Sequence, residues 1–178
     1  MNPPDWKLVR ESPVDDHHIF KLRTLTVADP RNGQEYPRVV IAAPDWVNVI
    51  AVTDADEVVL IRQFRFGTWR NELEIPGGML DPGEDAATAA VRELEEETGF
   101  VPAQTRLLGV SRPNPAFLDN RLHSFVATGC KQVHQGRQEG SEDIRVELVP
   151  RAKIPELIRS GEIDHSLVLV AFLFESLK

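Results

Sequence analysis

The chain has 178 residues, 42% of them apolar and 27% charged, the size and balance of one globular domain or of one domain with a small appendage. It carries 28 Asp and Glu against 20 Lys and Arg, a formal net charge of -8 whose field repels a polyanion and argues against nucleic acid as a partner. A phosphate-bearing small molecule remains compatible, but carboxylates beside phosphates then need metal cations between them. The single Cys130 allows no internal disulfide, and the polar start MNPPDWKLVRESP lacks the basic, apolar, small-residue layout of a secretory signal, so a cytoplasmic protein is expected. The longest apolar run, 166–174, falls far short of the roughly 20 residues that span a bilayer, and no membrane partner is expected.

In chain order, residues 18–44 predict two strands joined at the turn-forming Asp29-Pro30-Arg31-Asn32-Gly33, a peripheral hairpin. VNVIAVT and EVVLIRQFRF, with Asp54-Ala55-Asp56 between them, predict central strands because β-branched residues are dense on both sides of the turn. DAATAAVRELEEET, residues 85–98, has neither Pro nor Gly and predicts a helix ending at Gly99. Its Ala86, Ala87, Ala90, Val91 and Leu94 recur at helical spacing as a narrow apolar stripe toward the protein body. TRLLGVS, RLHSFVATG and IRVELVP read as further strands, and IPELIRSG and SLVLVAFLFESLK as helices. Strands on both sides of one central helix, followed by helices, favour a layered α/β arrangement with a mixed sheet.

The stretch GGMLDPGEDAATAAVRELEEETGF, residues 77–100, concentrates the chemistry. Glu93, Glu96 and Glu97 stand three and four residues apart, so on a helix their carboxylates share one exposed face and repel each other. A solvated charged face would explain an arbitrary Glu run, yet such a face normally intersperses Lys, and here only Arg92 stands at its edge. Turns at Pro76-Gly77-Gly78 and Pro82-Gly83 would form a loop whose backbone approaches the helix and encloses a cation. Hard oxygen ligands of this kind suit Mg2+, with Mn2+ as a substitute. Arg92 would pair with Glu84 or Glu93 and fix a carboxylate's direction.

The spacing is Gly78, five residues, Glu84, seven residues, Arg92-Glu93-Leu94, one residue, Glu96-Glu97, one residue, Gly99 and the apolar Phe100. It resembles the box of the Nudix hydrolases without a departure. The resemblance implies a Nudix-type α/β/α sandwich, a diphosphatase activity, and metals held by Glu93, Glu96, Glu97 and the carbonyl of Gly77, with Glu96 and Arg92 taking part in catalysis. The run RQFRFGTWRNELEIPGG is similar to that of the ADP-ribose and nucleoside diphosphate sugar pyrophosphatases, which makes Arg62, Arg65 and Glu74 candidate substrate-binding residues. Asn114-Pro115-Ala116 resembles a proline loop of the same branch, which usually has Ser-Pro-Gly there. SEDIRVELV is similar to its late segment, where Glu142 takes the position of the catalytic glutamate and Glu139 is a near alternative. Trp6, Trp46, Phe64 and Trp69 are candidates to stack on a base, and Trp46 is carried as substrate-binding. The five histidines, His17, His18, His123, His134 and His165, have no metal-ligand spacing and read as surface or structural.

The expected organisation is a β extension over 1–44 that serves dimerisation and a Nudix hydrolase domain over 45–178. The expected reaction splits a nucleotide sugar, ADP-ribose first, into a nucleoside monophosphate and a sugar phosphate. GDP-mannose and a broader set of nucleotide sugars stay open as substrates. A module that senses such a ligand without cleaving it is the other reading, disfavoured because every carboxylate of the box is present.

Overall fold

A computed structural model describes residues 4–137 and 143–177. The chain divides into two units, one of residues up to Pro44 with Arg112–Arg121, the other of Asp45–Ser111 with Leu122 onward.

In the first unit, β1 (Lys7–Glu11), β2 (Asp15–Asp16), β3 (Lys21–Ala28) and β4 (Glu35–Ala42) form an antiparallel sheet in which β3 pairs with the other three. The hairpin between β3 and β4 turns where the sequence predicts, because the Asp29 carbonyl accepts the Asn32 and Gly33 N–H groups while Gly33 takes φ 73°. The Asp29 carboxylate binds the Arg31 backbone and guanidinium, and those bonds hold it well below the usual carboxylate range, at about 2. The strands β1 and β2 carry no alternating pattern that the sequence reading could use.

In the second unit, β5 (Trp46–Thr53), β6 (Glu57–Arg65), β7 (Arg70–Glu74) and β8 (Gly77–Met79) precede the helix α1 (Ala86–Thr98). After it come β9 (Phe100–Val101), β10 (Gln104–Ser111), β11 (Leu122–Gln132), β12 (Ile144–Pro150), α2 (Ile154–Ser160) and α3 (Ser166–Ser176). The sheet runs β10-β11-β5-β6-β12 and is mixed: β11 and β5 are parallel, the other pairs antiparallel. One face, with Val47, Val49, Phe125 and Ala127, packs on Ala89, Ala90 and Leu94 of α1. The other, with Ile50, Leu60 and Val126, packs on Val168, Ala171 and Phe172 of α3. This is the expected α/β/α sandwich, and each fully buried side chain such as Leu94 contributes roughly 2 kcal/mol by leaving water.

Two local expectations need correction. Pro76-Gly77-Gly78 is not a turn: Gly77 and Gly78 lie in β8, paired with Asn48 and Val47 of β5. A β-carbon on Gly77 would strike the Val47 carbonyl and the Asn48 backbone, so glycine is what lets the strands approach. The predicted stripe of α1 holds in part: Ala90 and Leu94 are buried and Ala86 packs beside them, but Ala87 is exposed, and Ala89, Glu97 and Thr98 are buried instead. A strand of the sheet lies on one side of the helix only, and the apolar pattern of so many alanines is too weak to set its rotation.

β5 and β6 pair only at Ala51–Val59 and Val52–Val58. Toward the start of β5 the strands part, β8 pairing with β5 and β7 with β6. The parted strands open beneath the start of α3.

Candidate active site

The helix α1 starts at Asp85, whose carboxylate accepts the Ala87 and Thr88 N–H groups, and ends at Gly99 in the left-handed conformation, φ 73°. A β-carbon on Gly99 would strike the His134 carbonyl, so that position needs glycine on two counts. Arg92 ties together Glu84, just before the first cap, and Glu93 and Glu96 on the helix. Arg92 donates from Nε and Nη2 to both oxygens of Glu84 (2.9 and 3.0 Å), and from Nη1 to Glu93 (3.0 Å) and Glu96 (2.9 Å). It also reaches the Met79 carbonyl at 3.2 Å. Arg92, expected to pair with Glu84 or Glu93, binds both and Glu96 besides. The Glu84 carboxylate raises the Arg92 pKa, and Arg92 lowers that of Glu84.

Glu97 departs from the exposed face expected of it. It is 6% exposed, and its Oε2 accepts the Gly77 N–H at 3.0 Å, tying the end of the helix to β8. Glu93 lies against Gly78 so closely that a β-carbon there would overlap its carboxylate. The glutamates, the Gly77 backbone and Arg92 are therefore brought together. Among the described residues no three His, Cys, Asp or Glu groups are gathered as a cation would gather them. Two of the three helix glutamates turn toward the guanidinium and the third toward the backbone of β8.

Beside this cluster is a cavity of about 660 Å³, lined among others by Trp46, Arg65, Glu74, Gly77, Gly78 and His165. Of the residues expected at substrate, Trp46, Arg65 and Glu74 reach it. Arg62 does not line it: it sits on the opposite face of β6, where it donates to Glu147 (2.7 Å) and Glu162 (2.8 Å), the first of which chiefly raises its pKa. Its alternation on the strand decides this, since Arg65 stands three residues away and points to the other side. Trp6 packs on Tyr36 with Arg38 against its ring, within the first unit. Phe64 and Trp69 meet each other edge to face and do not line the cavity, Trp69 being 74% exposed. Asn114 caps its own turn in the first unit by accepting the Ala116 N–H. Glu142 and Glu139 lie outside the described residues.

Glu74 is a partner of protein groups. Arg65 donates to both its oxygens (2.7 and 3.0 Å), and His165 donates from Nδ1 to one of them at 3.0 Å. Burial alone would push this carboxyl up, but the bonds from His165 and Arg65 together outweigh it and bring it down to about 2. A depressed carboxyl stabilises the fold above its ordinary pKa of 4.5, and that contribution is lost as pH falls from 4.5 toward 2. At about 1.4 kcal/mol per pH unit it amounts to roughly 3 kcal/mol. In urea unfolding, the gap in stability between the protein and its Glu74→Gln variant is expected to be widest near neutral pH and to close toward pH 2; a gap constant across that range would show that Glu74 is not held ionised by its partners. His165, read from the sequence as surface or structural, is thus part of the cavity wall. Its signal could not be seen, because its partner is 91 residues away. Cys130 is buried, which pushes its thiol up to about 11 and makes it no nucleophile.

A family profile described as NUDIX domain matches residues 44–169. The chain belongs to the Nudix family. Its sequence is 30% identical over 177 residues to an ADP-ribose pyrophosphatase of Bacillus subtilis (strain 168), covering 97% of this chain and 96% of that one. It is 38% identical over 130 residues to a methanol dehydrogenase activator of Bacillus methanolicus, covering 71% of this chain and 70% of that protein. A solved ADP compounds hydrolase superposes with a TM-score of 0.85 over 99% of this chain and 95% of its own, at 22% identity, a likeness of fold. The protein is accordingly a Nudix hydrolase, an enzyme of the diphosphatase type. No described helix of this Nudix protein is long and apolar enough to cross a membrane.

Proposed function

We propose that the enzyme hydrolyses the diphosphate of a nucleoside diphosphate sugar, ADP-ribose foremost, releasing a nucleoside monophosphate and a sugar phosphate in the cytoplasm. The observation that carries this is the placing of Glu93 and Glu97 directly on Gly78 and Gly77, at the edge of a cavity large enough for a nucleotide. The residues fit a divalent cation by their chemistry. Three carboxylates and a backbone carbonyl are hard oxygen donors, and the missing β-carbon at Gly78 leaves the Glu93 carboxylate room beside the strand. Glu93, Glu96, Glu97 and the Gly77 carbonyl would hold Mg2+, or Mn2+ in its place. Bound there, the ion would neutralise diphosphate charge and stabilise the negative charge that develops on the reacting oxygens.

The chain's own groups supply the rest. Arg92 limits the rotation of Glu84, Glu93 and Glu96, so the carboxylates are oriented before substrate arrives. Trp46 offers a flat face in the cavity for a base, and Arg65, bound to Glu74, keeps a cationic group on its wall. Glu142 would accept the proton of the attacking water, with Glu139 as the alternative. The test is hydrolysis of a panel containing ADP-ribose, GDP-mannose, other nucleotide sugars and dinucleotides, with and without Mg2+. Metal-dependent release of AMP from ADP-ribose at the highest kcat/KM is expected, and a panel left intact would refute the reading.

A homodimer is part of the proposal. Among the described residues of the first unit no apolar side chain is buried, while Leu8, Val9, Val14, Ile19 and Val39 are exposed. A sheet whose apolar side chains are only half-buried or exposed needs another surface to bury them. The full chain should sediment as a dimer, and Leu8→Lys combined with Val39→Lys should shift it to monomer. A monomeric wild type, or an unchanged variant, would remove this role from the unit.

A further inference from the structure

Glu74 and Arg65 occupy each other, and the neighbouring charges of the cavity do the same: Arg70 donates to Glu72 at 2.8 Å and to Asp164. These ion pairs engage the charges of that wall with one another before a ligand arrives. His165 is different. Its backbone is fixed because its carbonyl accepts the Val168 and Leu169 N–H groups at the start of α3, both at 3.0 Å, and its side chain is not used as a cap. The ring is fixed by Nδ1, bonded to Glu74, whose carboxylate offers only lone pairs. In the singly protonated ring the proton must therefore sit on Nδ1, and Nε2, on the opposite edge, keeps a lone pair. No described residue takes Nε2. The side chain is 37% exposed and lines the same cavity as Trp46.

We propose that His165 is a substrate-recognition residue whose Nε2 accepts a hydrogen bond from an N–H or O–H group on the nucleoside half of the substrate, with Glu74 as the residue that positions it. The assignment rests on the diphosphatase reading of the cavity. A ring oriented in advance has little freedom to lose on binding, so the bond it makes is retained in affinity. An acceptor here selects an exocyclic amine or a ribose hydroxyl and disfavours a ligand that places a carbonyl at the same point, where two lone pairs would face each other.

Two substitutions separate recognition from mere structural support. His165→Asn places an amide N–H where Nδ1–H donates to Glu74 and removes the Nε2 position. His165→Gln places its amide oxygen near Nε2 and gives up the bond to Glu74. Steady-state kinetics on the full-length enzyme with ADP-ribose and Mg2+ should show His165→Asn raising KM roughly 5- to 10-fold with kcat within about 2-fold, the mark of lost uniform binding. His165→Gln keeps an acceptor but loses the orientation that Glu74 gives it, and should raise KM by less than His165→Asn does. Analogues lacking the exocyclic amine, the 2′ hydroxyl or the 3′ hydroxyl identify the donor: one of them should lose affinity in the wild type and not in His165→Asn. If His165→Asn ranks at or above His165→Gln, or if every analogue loses equally in both proteins, the assignment is overturned while the hydrolase reading stands. A wild type that leaves all nucleoside diphosphate sugars intact overturns both.

Discussion

Glu97→Gln is expected to fold normally and to lower kcat for diphosphate hydrolysis by roughly 10²- to 10³-fold, the several kcal/mol of charge stabilisation that a metal ligand secures. The fold should survive because the bond that Oε2 accepts from the Gly77 N–H can be kept by the oxygen of Gln, which has nearly the same shape. What the amide cannot keep is the negative charge. Glu97 is 6% exposed and so sits where an ionic ligand is less screened than at the surface. Melting temperature against Mg2+ concentration gives a readout independent of turnover. The wild type should gain stability with Mg2+ by mass action, and the variant should gain less at the same concentration. Near-normal kcat at saturating Mg2+, together with an unchanged Mg2+ response, would take Glu97 out of the ligand set.

Glu142→Gln is expected to lower kcat by roughly 10²- to 10⁴-fold, the range for loss of a general base, with KM within a few-fold, and Glu139→Gln to do less. The reason lies in what the box glutamates already do. Arg92 binds Glu84, Glu93 and Glu96, and Glu97 takes the Gly77 N–H. A carboxylate engaged with a guanidinium or a cation is a poor proton acceptor, because both stabilise its charged form. A further acid must then come from elsewhere in the chain. On one side of residues 138–142, the Arg137 N–H donates to the Glu96 carbonyl at 2.6 Å, at the end of the box helix. On the other side Ile144 pairs with Gln63 in the sheet. Glu142 stands two residues before that strand, in the position that the resemblance gives the catalytic glutamate, and Glu139, two residues after Arg137, is the alternative. The reverse ranking would move the role to Glu139, and two variants with near-normal kcat would place the base outside this segment.

Arg92 explains why the box can be so acidic and still fold. Alone, Glu93, Glu96 and Glu97 would repel one another on one turn of helix, and the destabilisation would grow with each ionised neighbour. Arg92 answers two of them and Glu84, and Gly77 answers the third. In the proposed reading a cation would add to this arrangement on the glutamate oxygens, and the guanidinium and β8 would keep the carboxylates in place as metal and substrate bind and leave.

The features legible in the sequence are those set by near neighbours. The α1 helix is bounded by the Asp85 cap and Gly99, and its Glu spacing follows from 3.6 residues per turn. The turns at 29–33 and 54–56, the long β-branched strands and the alternation into two terminal helices are also local, and they suffice for a layered α/β domain of Nudix type. Features made by partners far apart in the chain were decided only in three dimensions. The pairing of Gly77 and Gly78 with β5 turned an apparent loop into a strand, because what rules there is the close approach of a distant backbone, Gly77 lying against Asn48, 29 residues earlier. The burial of Glu97 depends on that same strand. Arg62 and Arg65 look alike in RQFRF, and only their opposite faces on β6, with Glu147 and Glu162 on one side and Glu74 on the other, separate a surface ion pair from a cavity residue. His165 has no sequence signal at all, since its meaning comes from a carboxylate on β7 that the sheet brings to the start of α3. Local periodicity determines which elements form, and the register between distant strands determines which charges meet.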